Sequence, residues 1–271
     1  MNRLTLATWN INSVRLRIGR VTAFLKREKP DVLCLQEIKC LEDQFPRKAF
    51  EAAGYKHIHL SGQKGMHGVA IVSKHEMENL ETPGLCKHGH ARCAAVKVAG
   101  FELHDLYVPA GADIPDPKVN EKFAHKLDFI ERMREFYAAR AAKRSAPPLL
   151  VVGDINIAPE ENDVWSHRQL LDVVSHTPVE TDGLKRILAE GKFTDIARAK
   201  HKPEEKLYTW WSYRAADWKL SNRGRRLDHI WADKKATPLI DVASYQIHTA
   251  ERGGDKPSDH VPVTVSMSIG A

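Results

Sequence analysis

The 271-residue sequence predicts an α/β fold in which two β-sheets pack face to face and helices cover their outer sides. Three observations carry this expectation. Short apolar runs of strand length alternate with longer stretches of helical periodicity. Many connections are turn-rich rather than helical, so the strands cannot all belong to βαβ units. No Pro/Gly/Ser linker, low-complexity run or internal repeat divides the chain, and 42% hydrophobic residues suffice for a sizeable core, so 1–271 reads as a single domain.

The elements follow in order. Leu4-Thr-Leu-Ala-Thr-Trp9 alternates as a strand does and runs into Asn10-Ile-Asn12. Ile18, Val21 and Leu25 fall at helical spacing within 15–29, and Pro30 stops that helix. Val32-Leu-Cys-Leu35 is a short buried strand ending in Gln36-Glu37, and a helix over 44–53 ends at Gly54. Strands are expected at 55–60, 68–73, 94–98 and 101–108, the last running into Tyr107-Val-Pro-Ala-Gly111. Val119, Phe123, Leu127, Ile130, Met133 and Tyr137 mark a long amphipathic helix. Leu149-Leu-Val-Val152 reads as a hidden strand, broken by Gly153. Thr177-Pro-Val-Glu180 has the form of a capping box with proline in the first turn, opening a helix to about residue 190. An aromatic and basic stretch over 208–226 precedes strands at 227–232, 239–248 and 261–267.

The formal charge of +6 and pI of about 9.1 permit a polyanionic partner without requiring one. Cys34, Cys40, Cys86 and Cys93 form no C-x-x-C pair and read as reduced thiols, neither zinc ligands nor a disulfide frame. The N-terminus lacks a charged-then-apolar leader, and no apolar stretch approaches the ~20 residues that span a membrane. The expectation is a soluble cytoplasmic protein.

Polar residues gather where strands end: Asn10, Gln36-Glu37, Tyr107, Asp154-x-Asn156, and Asp228 with Ser258-Asp-His260. Ends of neighbouring strands converge on one sheet edge, so residues distant in sequence can meet there. Glu37, Asp154 and Asp259, with the amide oxygens of Asn10 and Asn156, form an oxygen-rich set that suits Mg²⁺ or Mn²⁺ rather than zinc. His260 and Asp228 suit a His–carboxylate pair in which the acid orients the ring. Each also has a plainer reading. Asn10, Asp154 and Asp259 suit turns, Asn156 a helix cap, and Tyr107 a core aromatic. Glu37 suits a surface pair with Lys39, and Asp228 a salt bridge to Arg225 or Arg226.

The runs Thr8-Trp-Asn-Ile-Asn12, Leu35-Gln-Glu-Ile-Lys39, Gly62-Gln-Lys-Gly65 with Gly68-Val-Ala70, Tyr107-Val-Pro109, Gly153-Asp-Ile-Asn156, Arg226-Leu-Asp228 and Ser258-Asp-His260 occur in that order along nearly the whole chain. Together they resemble the exonuclease III family of apurinic/apyrimidinic endonucleases, within the deoxyribonuclease I-like superfamily. The resemblance implies a four-layer αββα sandwich with the site at one end. It implies a divalent-metal-dependent DNA-repair hydrolase that cuts the phosphodiester 5′ to abasic sites in duplex DNA, with 3′-to-5′ exonuclease and 3′-phosphatase activity. Position by position, Glu37 matches the principal metal ligand. Asn10, Asp154, Asn156 and Asp259 match polar groups around metal and phosphate, and Tyr107, Asp154, Asn156, Asp228 and His260 match the catalytic set. Trp210 aligns with the aromatic lining the abasic-sugar pocket, and Trp218 falls in the loop that enters the duplex.

Basic residues near such a site would contact phosphates: Arg92, Lys122, Lys126, Arg214, Arg223 and Arg225 are the candidates. Duplex DNA with abasic sites or blocked 3′ ends is the expected partner, Mg²⁺ (or Mn²⁺) the expected cofactor, and the monomer the expected state. One departure stands out. Ala110 follows Pro109 where many relatives carry an amide, which bears on the balance of exonuclease to endonuclease activity. Two other readings remain: a phosphatase acting on a small phosphorylated substrate, and a non-catalytic DNA-binding relative.

Overall fold

The computed structural model describes residues 2–215 and 217–270. The first sheet runs from β1 (Asn2–Asn10) through α1 (Val14–Glu28), β2 (Val32–Gln36), α2 (Arg47–Ala52), β3 (His57–Ser61) and β4 (Val69–Ser73). The second begins with β5 (Met77–Asn79), β6 (Cys93–Val98) and β7 (Phe101–Tyr107), continues through α3 (Glu121–Ala141) to β8 (Leu149–Asp154), and then passes α4 (His167–Leu170) and α5 (Pro178–Gly191). Next come β9 (Phe193–Asp195), α6 (Ile196–Lys200), the short pair β10 (Trp210–Trp211) and β11 (Gly224–Arg225) around α7 (Trp218–Ser221), and β12 (Asp228–Asp233). The chain returns to the first sheet with β13 (Ile240–Ile247) and β14 (Val263–Ile269).

The strand orders are β13-β14-β1-β2-β4-β3 and β5-β6-β7-β8-β12-β9. Each sheet is antiparallel except at its centre, where β1 pairs parallel to β2 and β7 parallel to β8. Leu6, Cys34, Ile71, Leu103, Leu150, Val152, Ile230 and Val265 face one another between the sheets. Their alternate neighbours face out. Trp9, Leu33 and Leu35 pack with Val21, Phe24 and Leu25 of α1. Leu106, Val151 and Trp231 pack with Phe129, Ile130 and Met133 of α3 and Leu184 and Ile187 of α5. The two-residue period of a strand thus gives both sheets two apolar faces and produces the four layers.

The expected elements form, with informative differences. The helix expected over 44–53 is split, because Pro46 separates a short 3-10 turn at Glu42–Gln44 from α2. β5, β9, α4 and α6 went unread; each is five residues or shorter and carries too little periodicity to register. Gly153 does not break the hidden strand. β8 continues through it to Asp154 with Gly153 at φ +127, where a Cβ would stand 2.0 Å from the Leu106 carbonyl oxygen. The capping box read from sequence is present, with Thr177 and Glu180 capping α5 reciprocally; Asn120, unread in the sequence, caps α3 by accepting from the N–H groups of Lys122 and Phe123.

Away from the site, Glu102 joins β7 to α3. It accepts from His104 Nε2 at 2.8 Å and from Arg140 Nη2 at 2.6 Å. Burial raises the Glu102 carboxyl, but these hydrogen bonds outweigh it and bring the group down to about 2. A carboxylate depressed in the folded state contributes stability above its unfolded value of about 4.3 that is lost as pH falls towards the folded value. Glu102→Gln is therefore expected to flatten the acid limb of the stability curve between about pH 5 and 2. Urea midpoints measured along that range check this.

Candidate active site

The inward face that forms the core turns polar at one end of the sandwich. On β1 the inward series Leu4, Leu6, Thr8 ends at Asn10; on β2, Val32 and Cys34 lead to Gln36; on β8, Leu150 and Val152 lead to Asp154. Tyr107 closes β7, and Asp228 opens β12. The parallel registers place Asn10 beside Gln36 and Tyr107 beside Asp154, and the antiparallel register places Asp228 opposite Asp154. Four strand C-termini and one N-terminus therefore meet. Gln36 Nε2 donates to Thr8 Oγ1 and Asp105 Oδ1, making a buried polar layer below the site.

The chain leaves these strands through left-handed residues: Asn12 at φ 47, Glu37 at φ 53 and Asn156 at φ 56. Asparagine tolerates that region, whereas glutamate is held there at a cost of about 1 kcal/mol. Asn156 therefore does not simply continue the extended backbone as the spacing of Asp154-x-Asn156 suggested. Its side chain still returns to Asp154, because Asn156 Nδ2 donates to Asp154 Oδ2 at 3.0 Å and its backbone N–H donates to Oδ1. It caps no helix; the segment beyond forms only a 3-10 turn at Glu161–Asp163.

Asn10 Nδ2 bridges Glu37 Oε1 and Asp154 Oδ2, each at 2.9 Å. Tyr107 donates its hydroxyl to Glu37 Oε1 at 2.9 Å. Burial, with Glu37 and Asp154 nearby, holds the phenol well above its ordinary pKa, so it stays protonated. Burial acts against the Glu37 charge, but the Lys39 ammonium at 2.8 Å and the Asn10 amide keep its carboxyl below the ordinary value. The plainer reading of Glu37 as a partner of Lys39 thus coexists with its place in the site.

His260 Nδ1 lies 2.8 Å from Asp228 Oδ2, and Nε2 lies 3.7 Å from Asp154 Oδ2. Asp228 also accepts from Thr209 Oγ1 at 2.6 Å. Burial opposes a charged His260 ring, yet Asp228 and Asp154 reverse that and push it up to about 10. Asp154 is pushed up to about 7 by burial, against the opposing pull of His260. Asp228 is not paired with Arg225 or Arg226. Arg226 is wholly buried and bonds Asp163 and Asp195, while Arg225 bonds Val174 O and Ser175 Oγ.

Asp259 accepts from Asn12 Nδ2 at 3.1 Å and Trp210 Nε1 at 3.0 Å. A cavity of about 660 Å³ opens over these groups, lined by Glu37, Tyr107, Asp154, Asn156, Asp259 and His260 together with Trp165, Trp210, Arg214, Arg223 and Arg225. Arg225 lies over Trp210 and Arg223 over Trp165, at 5.3 and 4.6 Å from the ring centroids.

Several expected DNA contacts sit elsewhere. Lys126 is fully buried, with Nζ 2.5 Å from Glu180 Oε1 and bonded to the carbonyls of Ala110 and Asn156, so it is unavailable to a phosphate. Helical periodicity reads a lysine as solvated, and the buried acid lies 54 residues away in sequence. Lys126→Ala leaves the Glu180 charge buried without its counter-ion, with only the Ser175 and Thr177 donors beside it, and is expected to cost about 3–5 kcal/mol in a chemical-unfolding measurement. Arg92 is 6% exposed and holds Tyr107 instead, with Nη1 on the Tyr107 carbonyl and the guanidinium 4.8 Å from its ring. Lys122 is exposed on the first turn of α3, apart from the cavity lining. Trp218 packs on Trp211 and under Arg252; the exposed apolar side chain of that helix is Leu220, at 86% exposure. Sequence reasoning missed Thr209, Asn12 and Trp165, whose roles depend on contacts that no local pattern marks.

Among the described residues, Asp154, Asp228 and His260 bring three ligand atoms within 4.8 Å of one another. His260 is already hydrogen-bonded to Asp228, so this group suits a His–carboxylate pair beside an acid better than an ion cage. The oxygen set at Glu37 fits a hard cation better. It already holds one, since the Lys39 ammonium sits between Glu37 Oε2 and Asn12 Oδ1.

A two-sheet sandwich with carboxylates, an amide pair and a His–Asp dyad at converging strand ends defines a phosphoester hydrolase of the metal-assisted kind. The chain belongs to the Endonuclease/Exonuclease/phosphatase family, which residues 7–260 match, and metal dependence is general to that family. It is 29% identical to exodeoxyribonuclease III of Haemophilus influenzae, over 94% of this chain and 97% of that one. It superposes on an AP endonuclease from Archaeoglobus fulgidus with a TM-score of 0.89 and 33% identity, covering 98% of this chain and 100% of that one. It also superposes on the 3′ phosphatase NExo from Neisseria, bound to product DNA hairpin, with a TM-score of 0.87 and 30% identity, covering 98% and 99% of the two chains. Among the described residues no helix is long and apolar enough to cross a membrane.

Proposed function

We propose that this chain is a DNA-repair nuclease that hydrolyses the phosphodiester 5′ to abasic sites in duplex DNA and trims blocked 3′ ends, using Mg²⁺ held at Glu37. One observation carries the reading: the hydrolytic groups and an aromatic–arginine wall line the same open cavity. A small phosphorylated metabolite needs only the hydrolytic groups of that lining and gains little from the aromatic–arginine wall. A nucleotide lacking its base has little stacking to lose on leaving the duplex, and an intact base would crowd a pocket walled by Trp210.

Glu37, with Asp259 and the Asn10 and Asn12 amides around it, would hold the divalent ion in place of the Lys39 ammonium. Such an ion would offset charge on the phosphate and on the departing O3′. Asp154, poised near neutrality, takes the proton of the attacking water, and Asn156 fixes its carboxylate. His260 is already charged, so it donates to a phosphate oxygen instead of acting as base, and Asp228 keeps its ring oriented. Protonated Tyr107 supplies a proton or hydrogen bond to the leaving oxygen.

Arg223→Ala and Arg225→Ala are each expected to weaken binding of an abasic-analogue duplex and to reduce the slope of log K against log salt by about 1, because each removes one phosphate contact. Fluorescence anisotropy with chelator present, to block cleavage, measures this. Unchanged slopes in both variants would leave the arginine wall without its assigned role.

A further inference from the structure

A second group of ligating side chains lies outside the catalytic set, on the connection from β5 to β6. The run Cys86-x-His88-x-His90 turns back on itself through Gly89, whose N–H donates to the Cys86 carbonyl with Gly89 at φ +65. It meets His125 from the first turns of α3. Cys86 Sγ lies 3.3 Å from His125 Nε2. The His88 and His90 rings lie 4.4 and 5.8 Å from the His125 ring, centroid to centroid. His67 stacks on His90 at 4.9 Å and touches Tyr107 at 5.9 Å.

Three features mark this as more than a polar surface. The Sγ–Nε2 distance is near the spacing of about 3.6 Å between a thiolate and an imidazole on one tetrahedral zinc. His90 Nδ1 is buried with no hydrogen-bond partner among the described residues, which a packed imidazole avoids unless something else completes it. No carboxylate partner of these rings is recorded among the described residues, so the donor set is soft-to-borderline and unlike the oxygen set at Glu37.

We infer that Cys86, His88, His90 and His125 form a binding site for one borderline transition-metal ion of the Zn²⁺ class, separate from the catalytic ion. Two donors already face each other, Cys86 Sγ and His125 Nε2. The exposed His88 and half-buried His90 rings turn inward to supply the third and fourth, since among the described residues no three of these ligand atoms yet lie within 4.8 Å of one another. Cysteine spacing alone concealed the site, because the motif is C-x-H-x-H closed by a histidine 35 residues on from His90.

The test is Co²⁺ titration of chelator-stripped protein in excess Mg²⁺, which occupies the catalytic oxygens, followed by absorption. The expected result is about one equivalent of Co²⁺ with tetrahedral visible bands and a thiolate-to-cobalt charge-transfer band. Cys86→Ser should abolish the charge-transfer band, and His88→Ala, at an exposed position where folding is undisturbed, should weaken binding at least tenfold. Glu37→Gln should change neither. A wild type without the charge-transfer band overturns the proposal, as does a band that survives Cys86→Ser.

Discussion

Asp154→Asn is expected to lower the cleavage rate by about 10²–10⁴-fold, the range that a positioned general base contributes, with the fold retained. The carboxylate is buried where the two sheets meet, bonded to Asn10 and Asn156, and its pKa is brought to about 7. An amide of the same shape cannot take a proton. It also meets donors on both sides, since Oδ1 accepts from the Asn156 N–H and Oδ2 from Asn10 and Asn156 Nδ2. One edge of the new amide must face a donor, so a modest stability loss of about 1–3 kcal/mol accompanies the loss of rate. Single-turnover cleavage together with circular dichroism separates the two effects. A folded variant within about threefold of wild type would falsify the assignment of Asp154 as base.

Glu37→Gln is expected to raise the Mg²⁺ concentration for half-maximal cleavage by at least about a hundredfold, beyond the 10–100-fold that partners outside the coordination sphere typically cost. Among the described residues, Glu37 carries the one negative charge bonded to the Tyr107 hydroxyl and to Lys39, and it shares Asn10 Nδ2 with Asp154 alone. Glutamine keeps an oxygen for Asn10 and Tyr107 but lets the ammonium of Lys39 go unpaired, and a cation there is no longer favoured. Rate measured against Mg²⁺ concentration checks this. A lower rate with an unchanged metal requirement would move the ion away from Glu37.

The four layers and most of the site were legible because strand periodicity does two jobs at once. The alternation that places Leu150 and Val152 in the core also carries Asp154 to the inward edge, and the same holds for Leu6 and Asn10 on β1. A polar residue ending an apolar run is thus visible without any contact being known. The left-handed turns at Glu37 and Asn156 were not legible, since neither residue type announces a positive φ as glycine does. Gly153 was misread for the opposite reason. Its glycine answers a close approach by Leu106 within a continuing strand, not an end. Lys126 and Trp218 show the remaining limit. A helical lysine and a loop tryptophan look solvent-facing or wedge-like until the buried Glu180 and the Trp211–Arg252 stack are seen across the fold.

The most direct test of the central reading is cleavage of an end-labelled duplex carrying one abasic analogue, with Mg²⁺ and with EDTA, beside an undamaged duplex and an inositol phosphate. The expected result is one Mg²⁺-dependent cut immediately 5′ to the lesion, leaving a 3′-hydroxyl, with no matching internal cut in undamaged DNA. Release of phosphate from the inositol compound with the abasic duplex left intact would contradict it, keeping the family and rejecting DNA as the substrate.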